Sequence, residues 1–320
     1  MDSADRWPTV VTETLKRLRN ALSDAAAGFA LRSPGAERLF IRGAGVLVRS
    51  RRLYGFAGRA MQTLSTRLRE RGDPVRLVQV GDASFLIDVT GDVLREMYFA
   101  SLPCEPRTTT WLLANLDPGQ VFLDVGANVG YYSLLAAQLV GPRGRVVAFE
   151  PNATVRARLE DHVRWNRVGD IVTVVGTALA DVRDGSLDLF VPDRDEESGI
   201  ASLHRTPRLE GKHATAMRVP SQRLDDWLEG SSLPRITVVK IDVEGAETRV
   251  LQGMRRTLLS RRPLHILCET RWDGPAHRLL LAASYKPTML DRFDSVEGVA
   301  NILYTSTPSR VIDRRRSDRA

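Results

Sequence analysis

The chain has 320 residues, 43% hydrophobic and 27% charged, with a formal net charge of +7. That composition suits one medium α/β domain with an appendage, and no run of roughly 18 uninterrupted apolar residues marks a transmembrane helix. Cys104 and Cys268 are far apart and set among apolar residues, which reads as reduced thiols, and with five scattered histidines a zinc cluster has little support. The opening M-D-S-A-D-R-W-P lacks the basic-then-apolar pattern of a signal peptide, so a cytoplasmic location is expected.

Charge divides the chain. Residues 1–74 hold 14 of the 46 basic residues but 7 of the 39 acidic ones, so the whole positive excess lies there. We therefore expect a basic helical appendage over 1–74, a main domain over 75–309 and a polar tail over 310–320. The remainder of the chain, residues 75–320, has no net charge, and the main domain carries no mark of a nucleic-acid binder.

In the appendage, Val11, Leu15, Leu18 and Leu22 form a helical stripe. Ser33-Pro34-Gly35 reads as a break. Leu39–Leu68 is again helical in period but rich in arginine, the pattern of a basic amphipathic helix that docks on an anionic membrane or packs as a solvated cap. Val75–Val89 predicts a hairpin around Gly81-Asp82, and Thr108–Asn115 a short helix.

A strand–helix alternation then begins. Val121–Val125 is an apolar strand containing Asp124. It turns at Gly126 and launches an amphipathic helix from Gly130, carrying Tyr131, Leu134, Leu135 and Leu139. Arg145–Glu150 is a second buried strand ending in Glu150, followed by Pro151 and a helix over Asn152–Asn166 with Asn152 as N-cap. The two strands are spaced as one βαβ unit. A glycine turn at a first helix, with an acid ending the second strand, is the pattern of a nucleoside site in which the acid accepts the ribose hydroxyls. A dinucleotide fold wants glycine where Asn128 stands, because a side chain there crowds a pyrophosphate. S-adenosylmethionine has the ribose and an amino acid moiety but no phosphate, so it fits better. Asp124 would then orient the turn or meet the ammonium of that moiety.

Further on, Ile171–Val175 predicts a third strand, Leu187–Val191 an additional one, and Pro192–Met217 a polar segment long enough to be a substrate lid. Met217–Pro220 returns as a strand and Leu224–Leu228 as a short helix. Ile236–Val243 is the fourth core strand. Lys240, Asp242 and Glu244 share one face at its carboxyl end by period two, where charges are costly unless paired or bound to ligand. Val250, Leu251, Met254 and Leu258 give the next helix its apolar face. Leu264–Cys268 is a fifth strand, Leu279–Tyr285 a helix, and Tyr285–Leu290 with Asn301–Tyr304 close the sheet.

D-V-G-A-N-V-G-Y-Y-S at Asp124–Ser133, F-E-P-N at Phe149–Asn152 and K-I-D-V-E-G-A-E at Lys240–Glu247 together resemble the FkbM family of S-adenosylmethionine-dependent methyltransferases. The resemblance runs from about Val75 to about Thr270. It implies a Rossmann-like class I methyltransferase fold: a mostly parallel sheet with helices on both faces and one antiparallel strand. It also implies O-methylation of a sugar, glycan or natural-product hydroxyl. Carried onto this sequence, the cofactor residues are Asp124, Gly126, Asn128, Gly130, Tyr131, Glu150, Pro151 and Asp242, with Thr177, Ala178 and Leu179 in the loop against the adenine. An attacking hydroxyl needs its proton removed, and Asp242, Glu244 and His204 are the candidate bases. Asp242 with Glu269 could hold a divalent ion, but the family does not generally imply one and no metal is expected. The rival readings are a nicotinamide oxidoreductase, against which Asn128 argues, and a cofactor-binding module without chemistry, against which the Asp242/Glu244 pair argues.

Overall fold

The computed structural model describes residues 20–48, 54–89, 95–100, 103–183, 185–192, 203, 213–261, 263–292 and 298–306. The described residues form two compact units that part between Thr109 and Thr110, with Pro192 grouped with the first. Among them, no helix is long and apolar enough to cross a membrane.

In the N-terminal unit residues 20–30 are helical, followed by α1 (Pro34–Val48) and α2 (Tyr54–Glu70). Ser33-Pro34-Gly35 marks the expected break between the helix over 20–30 and α1, and it also caps the start of α1. The Ser33 hydroxyl accepts the Ala36 amide at 3.1 Å, and Pro34 takes the first helical position, where no N–H is needed. Within the span Leu39–Leu68 the described residues are helical, in α1 and α2, as expected. β1 (Val75–Val80) and β2 (Ala83–Asp88) form the predicted antiparallel hairpin around Gly81-Asp82, and α3 (Arg95–Ala100) follows. Glu37 of α1 accepts from Arg76 Nε at 2.8 Å and from the Tyr98 hydroxyl at 2.5 Å. This network binds hairpin and α3 to the N-terminal helices, so the packing boundary falls within α4 (Pro106–Asn115) and not at the charge step near residue 74. Charge records where the arginines stop, whereas packing follows Glu37.

The second unit is built on a seven-stranded sheet. Its strands are β3 (Val121–Val125), β4 (Arg145–Phe149), β5 (Val172–Val175), β9 (Val238–Ile241), β10 (His265–Arg271), β11 (Tyr285–Arg292) and β12 (Val299–Ser306), in the spatial order β11-β12-β10-β9-β3-β4-β5. The pairs among β3, β4, β5, β9 and β10 are parallel, and β12 runs antiparallel to both its neighbours, as the resemblance implied. β3 is buried along its whole length, as a parallel strand covered on both faces must be. On one face Leu123, Val125, Phe149, Val239, Ile241, Cys268 and Ile302 pack with α7 (Leu224–Glu229), α8 (Glu247–Gly253) and α9 (Pro275–Ala282). The alternate residues, Asp124 and Lys240 among them, face the other side, where α5 (Tyr131–Val140) lies. α6 (Ala153–Trp165) starts at Asn152, whose side chain accepts the Thr154 amide at 3.1 Å, the predicted cap.

A smaller sheet has the order β6-β8-β7, from β6 (Ala178–Leu179), β7 (Gly185–Pro192) and β8 (Ala214–Gln222). The helix expected over Leu279–Tyr285 is displaced to α9, because Pro275 opens a helix at its first position and Tyr285 already belongs to β11. Cys104 and Cys268 are free. The stripe from Val11 to Leu18, the tail over 310–320, most of the lid segment and His204 lie outside the described residues.

Candidate functional site

The sheet order reverses between β3 and β9, and in open α/β sheets the crevice at the carboxyl ends of such a pair takes the ligand. The turn leaving β3 is tied to β9 there. Gly126 has φ 84, and a Cβ on it would lie 1.9 Å from the backbone oxygen of Asp242, so only glycine lets the turn come this close. Gly130, at φ 92, is pressed on Leu159 of α6 in the same way. The amides of Gly126 and Ala127 both donate to the Phe149 carbonyl at 3.0 Å. Asn128 sits at φ 51, a region asparagine tolerates. Its side-chain oxygen accepts the Val129 amide at 2.7 Å. Asn128 therefore shapes the turn, a local role the sequence had not assigned it.

Glu150 closes the same corner. One carboxylate oxygen accepts the Asn128 amide at 2.9 Å and the other the Asn152 amide at 2.8 Å. Burial pushes its pKa up to about 7, against the pull of those two N–H groups. Each oxygen has a second lone pair. The carboxylate is thus held flat by the backbone and can still receive two hydroxyl protons, which is what a ribose offers. Tyr131, at the start of α5, is buried edge-on against Tyr132, and Pro151 is half-buried beside Glu150.

Asp124 is 1% exposed and accepts the Ser133 hydroxyl at 2.6 Å. Burial raises its pKa, while the neighbouring Lys240 charge and Ser133 pull it down. This bond ties the first turn of α5 to β3. Lys240 lies beside it in the parallel register, its ammonium 4.6 Å from the Tyr132 ring centroid and 2.7 Å from Asp242 Oδ2. Lys240 is thus paired with Asp242, the residue two along on the same face.

Asp242, Glu244 and Glu269 come together. One carboxylate oxygen from each lies within 4.8 Å of the others. Asp242 follows β9, Glu244 stands at φ 51 in the next turn, and Glu269 lies near the end of β10. Thr177 lies in the loop that follows β5, as expected, but the loop is shorter than anticipated and ends before Ala178 and Leu179. Ala178 and Leu179 are a two-residue strand paired in parallel with Ser221 and Gln222, and their side chains are buried in hydrophobic clusters. Sequence reasoning missed Ser133, buried Glu247, whose carboxylate accepts the Gly245 amide at 2.8 Å, and Asn301. Ser133 and Glu247 were legible as the closing residues of two of the motifs; Asn301 carries no local signal.

Fold and corner together define a nucleoside-binding α/β domain with a carboxylate cluster at the switch point. The FkbM methyltransferase domain matches residues 124–286, and the chain belongs to that family. It carries a methyltransferase domain whose cofactor is S-adenosylmethionine. Relatives include the 2-O-methyltransferase NoeI of Sinorhizobium fredii, 28% identical over 165 residues, spanning 49% of this chain and 65% of that protein. The hexuronic acid methyltransferase AglP of Haloferax volcanii is 27% identical over 154 residues, 47% of this chain and 56% of that protein. The 31-O-demethyl-FK506 methyltransferase FkbM of Streptomyces tacrolimicus is 32% identical over 161 residues, 43% and 61% respectively. The match spans less than two-thirds of each of these relatives.

Proposed function

We propose that this protein methylates a hydroxyl oxygen on a sugar, glycan or polyhydroxylated natural product. The observation that carries the reading is the carboxylate cluster of Asp242, Glu244 and Glu269 at the switch point, against the turn that begins at Gly126. The relatives named for a 2-O-position, a hexuronic acid and 31-O-demethyl-FK506 support that acceptor class.

When bound, S-adenosylmethionine supplies a methyl already activated on a sulfonium. In this reading Glu150 receives the ribose hydroxyls, the turn from Gly126 to Gly130 with Tyr131 and Pro151 bounds the rest, and Asp124 acts at one remove by holding α5. Asp242 would take the proton of the acceptor hydroxyl, while the bound sulfonium would supply the methyl and keep the bonding electron pair on sulfur, so that charge balances. Lys240 holds Asp242 in one rotamer through its 2.7 Å contact. Such alignment is most of what an activated donor asks of a protein.

The test incubates the full chain with methyl-labelled S-adenosylmethionine and a panel of monosaccharides, uronic acids and polyhydroxylated small molecules. Mass spectrometry should find the gain of one methylene on a hydroxyl oxygen. Label confined to nitrogen or carboxylate acceptors would overturn the reading. A peripheral contact with anionic membrane is also part of it. Arg38, Leu39, Arg42 and Val46 share the exposed side of α1, with Leu39 62% and Val46 68% exposed.

A further inference from the structure

The geometry points to a hard divalent cation, of the magnesium or manganese type, held by Asp242, Glu244 and Glu269, with Asn301 on the same face of the sheet as Glu269. The inference rests on the reading of the site as a hydroxyl methyltransferase, and deepens it by naming what activates the acceptor.

The three carboxylates come from two neighbouring strand ends and the turn after one of them, yet an oxygen of each lies within 4.8 Å of the others. Like charges gathered this closely disfavour one another unless something positive sits among them. Lys240 serves Asp242 from the sheet side. Two oxygens on opposite sides of one ion are separated by twice the metal–oxygen distance, about 4.2 Å for magnesium and about 5 Å for calcium. The spacing therefore fits a shell of calcium size as it stands and must close slightly around magnesium or manganese. All-oxygen donors without histidine or thiolate select hard cations over zinc or copper.

The second observation is independent of the acids. Asn301 on β12 is 1% exposed, and its amide nitrogen has no hydrogen-bond partner among the described residues. It is the direct antiparallel partner of Glu269. Directly opposite residues share a face, with Cβ atoms about 5 Å apart, so Asn301 projects from the same face of the sheet as Glu269. Leaving such a group unpaired costs free energy. A cation with its oxygen ligands gives it a partner: the NH2 donates to an oxygen on the ion, or the amide turns and offers its carbonyl to the ion itself.

The chemistry follows. A carboxylate is a weak base for an alcohol. A bound divalent ion lowers the pKa of an oxygen acid on it by several units, as it does for water. The acceptor hydroxyl on the ion loses its proton to Asp242 or to solvent, and its oxygen then attacks the methyl as above.

The experiment titrates the full chain with Mn2+, following free Mn2+ by electron paramagnetic resonance, with Mg2+ as competitor. One bound equivalent, displaced by excess Mg2+, is expected. Glu269→Gln and the more exposed Glu244→Gln should each weaken binding by on the order of tenfold or more, since even removing outer-shell partners costs that much. Retained binding of S-adenosylhomocysteine shows that a variant is folded. No bound Mn2+ in the wild-type chain, or affinity unchanged in both variants, overturns the inference. Because binding is read without an acceptor, the site can stand if hydroxyl methylation fails. Conversely, hydroxyl methylation at full rate in excess chelator sinks the cation and leaves the methyltransferase reading intact.

Discussion

Glu150 makes cofactor binding depend on pH. Its pKa in the ligand-free protein is pushed up to about 7, by burial first, with the Asn152 and Asn128 amides pulling the other way. Two ribose hydroxyls donate, so they need the charged carboxylate; a protonated one offers fewer acceptor sites. Binding therefore competes with a proton. With a pKa near 7, affinity should be close to flat above pH 8, about tenfold weaker at pH 6 and about a hundredfold weaker at pH 5. The assay is calorimetric titration between pH 5 and 8 with adenosine, which keeps the ribose and lacks the amino group that titrates near the top of that range. Glu150→Gln removes the titration, so its affinity should be flat in pH and weaker at pH 8 by about 1.5–3 kcal/mol, the scale of hydrogen bonds to a charged group. A wild-type affinity that does not change between pH 5 and 8 refutes the reasoning. So does a slope that survives in Glu150→Gln, which would move the proton to another buried acid such as Asp124.

Four further outcomes can be measured. The ligand-free chain should lose stability as pH rises. The folded state holds on to a proton that unfolded Glu150 releases near 4.5, so its contribution is full below that pH and lost through about 7, worth on the order of 3 kcal/mol. Asp124 and Glu247, also raised chiefly by burial, act with the same sign, and denaturant midpoints at pH 5 and 8 test this. Gly126→Ala meets the Asp242 backbone oxygen and an unfavourable φ, and should destabilise by more than the roughly 1–2 kcal/mol of the φ alone, read as a fall in melting temperature. Lys240→Met leaves Asp242 without its ammonium and should cost about 3–5 kcal/mol in denaturant unfolding, the usual result of removing one partner of a buried pair. If α1 docks on anionic membrane, co-sedimentation with anionic vesicles should fall as salt rises and fall again in Arg38→Ala/Arg42→Ala; equal partitioning removes that contact.

The parallel core was legible because its strands are buried on both faces and so read as short apolar runs, each closed by a charge or a glycine. Gly126 and Glu150 were legible for the same reason, as breaks in an otherwise apolar pattern. What sequence could not show is set by register. Asn301 is one polar residue in a closing strand; only the pairing of β10 with β12 puts it opposite Glu269. Ala178 and Leu179 followed a strand and were read as a loop, because a two-residue strand has no periodicity to detect. The boundary near residue 74 was drawn from charge, and Glu37, a single acid in a basic helix, overrides it through partners 39 and 61 residues away.

Asp242 carries most of the functional argument and is the residue whose roles must be separated. It contacts Lys240, abuts the cofactor turn through its backbone oxygen, and belongs to the carboxylate cluster. Asp242→Asn keeps the shape and the backbone contact with Gly126 while removing the charge. If the side chain takes the acceptor proton, turnover at saturating cofactor should fall by about 10²–10⁴, with the binding constant for S-adenosylhomocysteine little changed. If it holds the cofactor, both should fall together. Near-normal turnover at pH 7 excludes it as the base and leaves Glu244, which shares the cluster, to be tested next. Glu247 is the poorer candidate despite its burial, because its carboxylate is already engaged by the Gly245 amide at the start of its own helix.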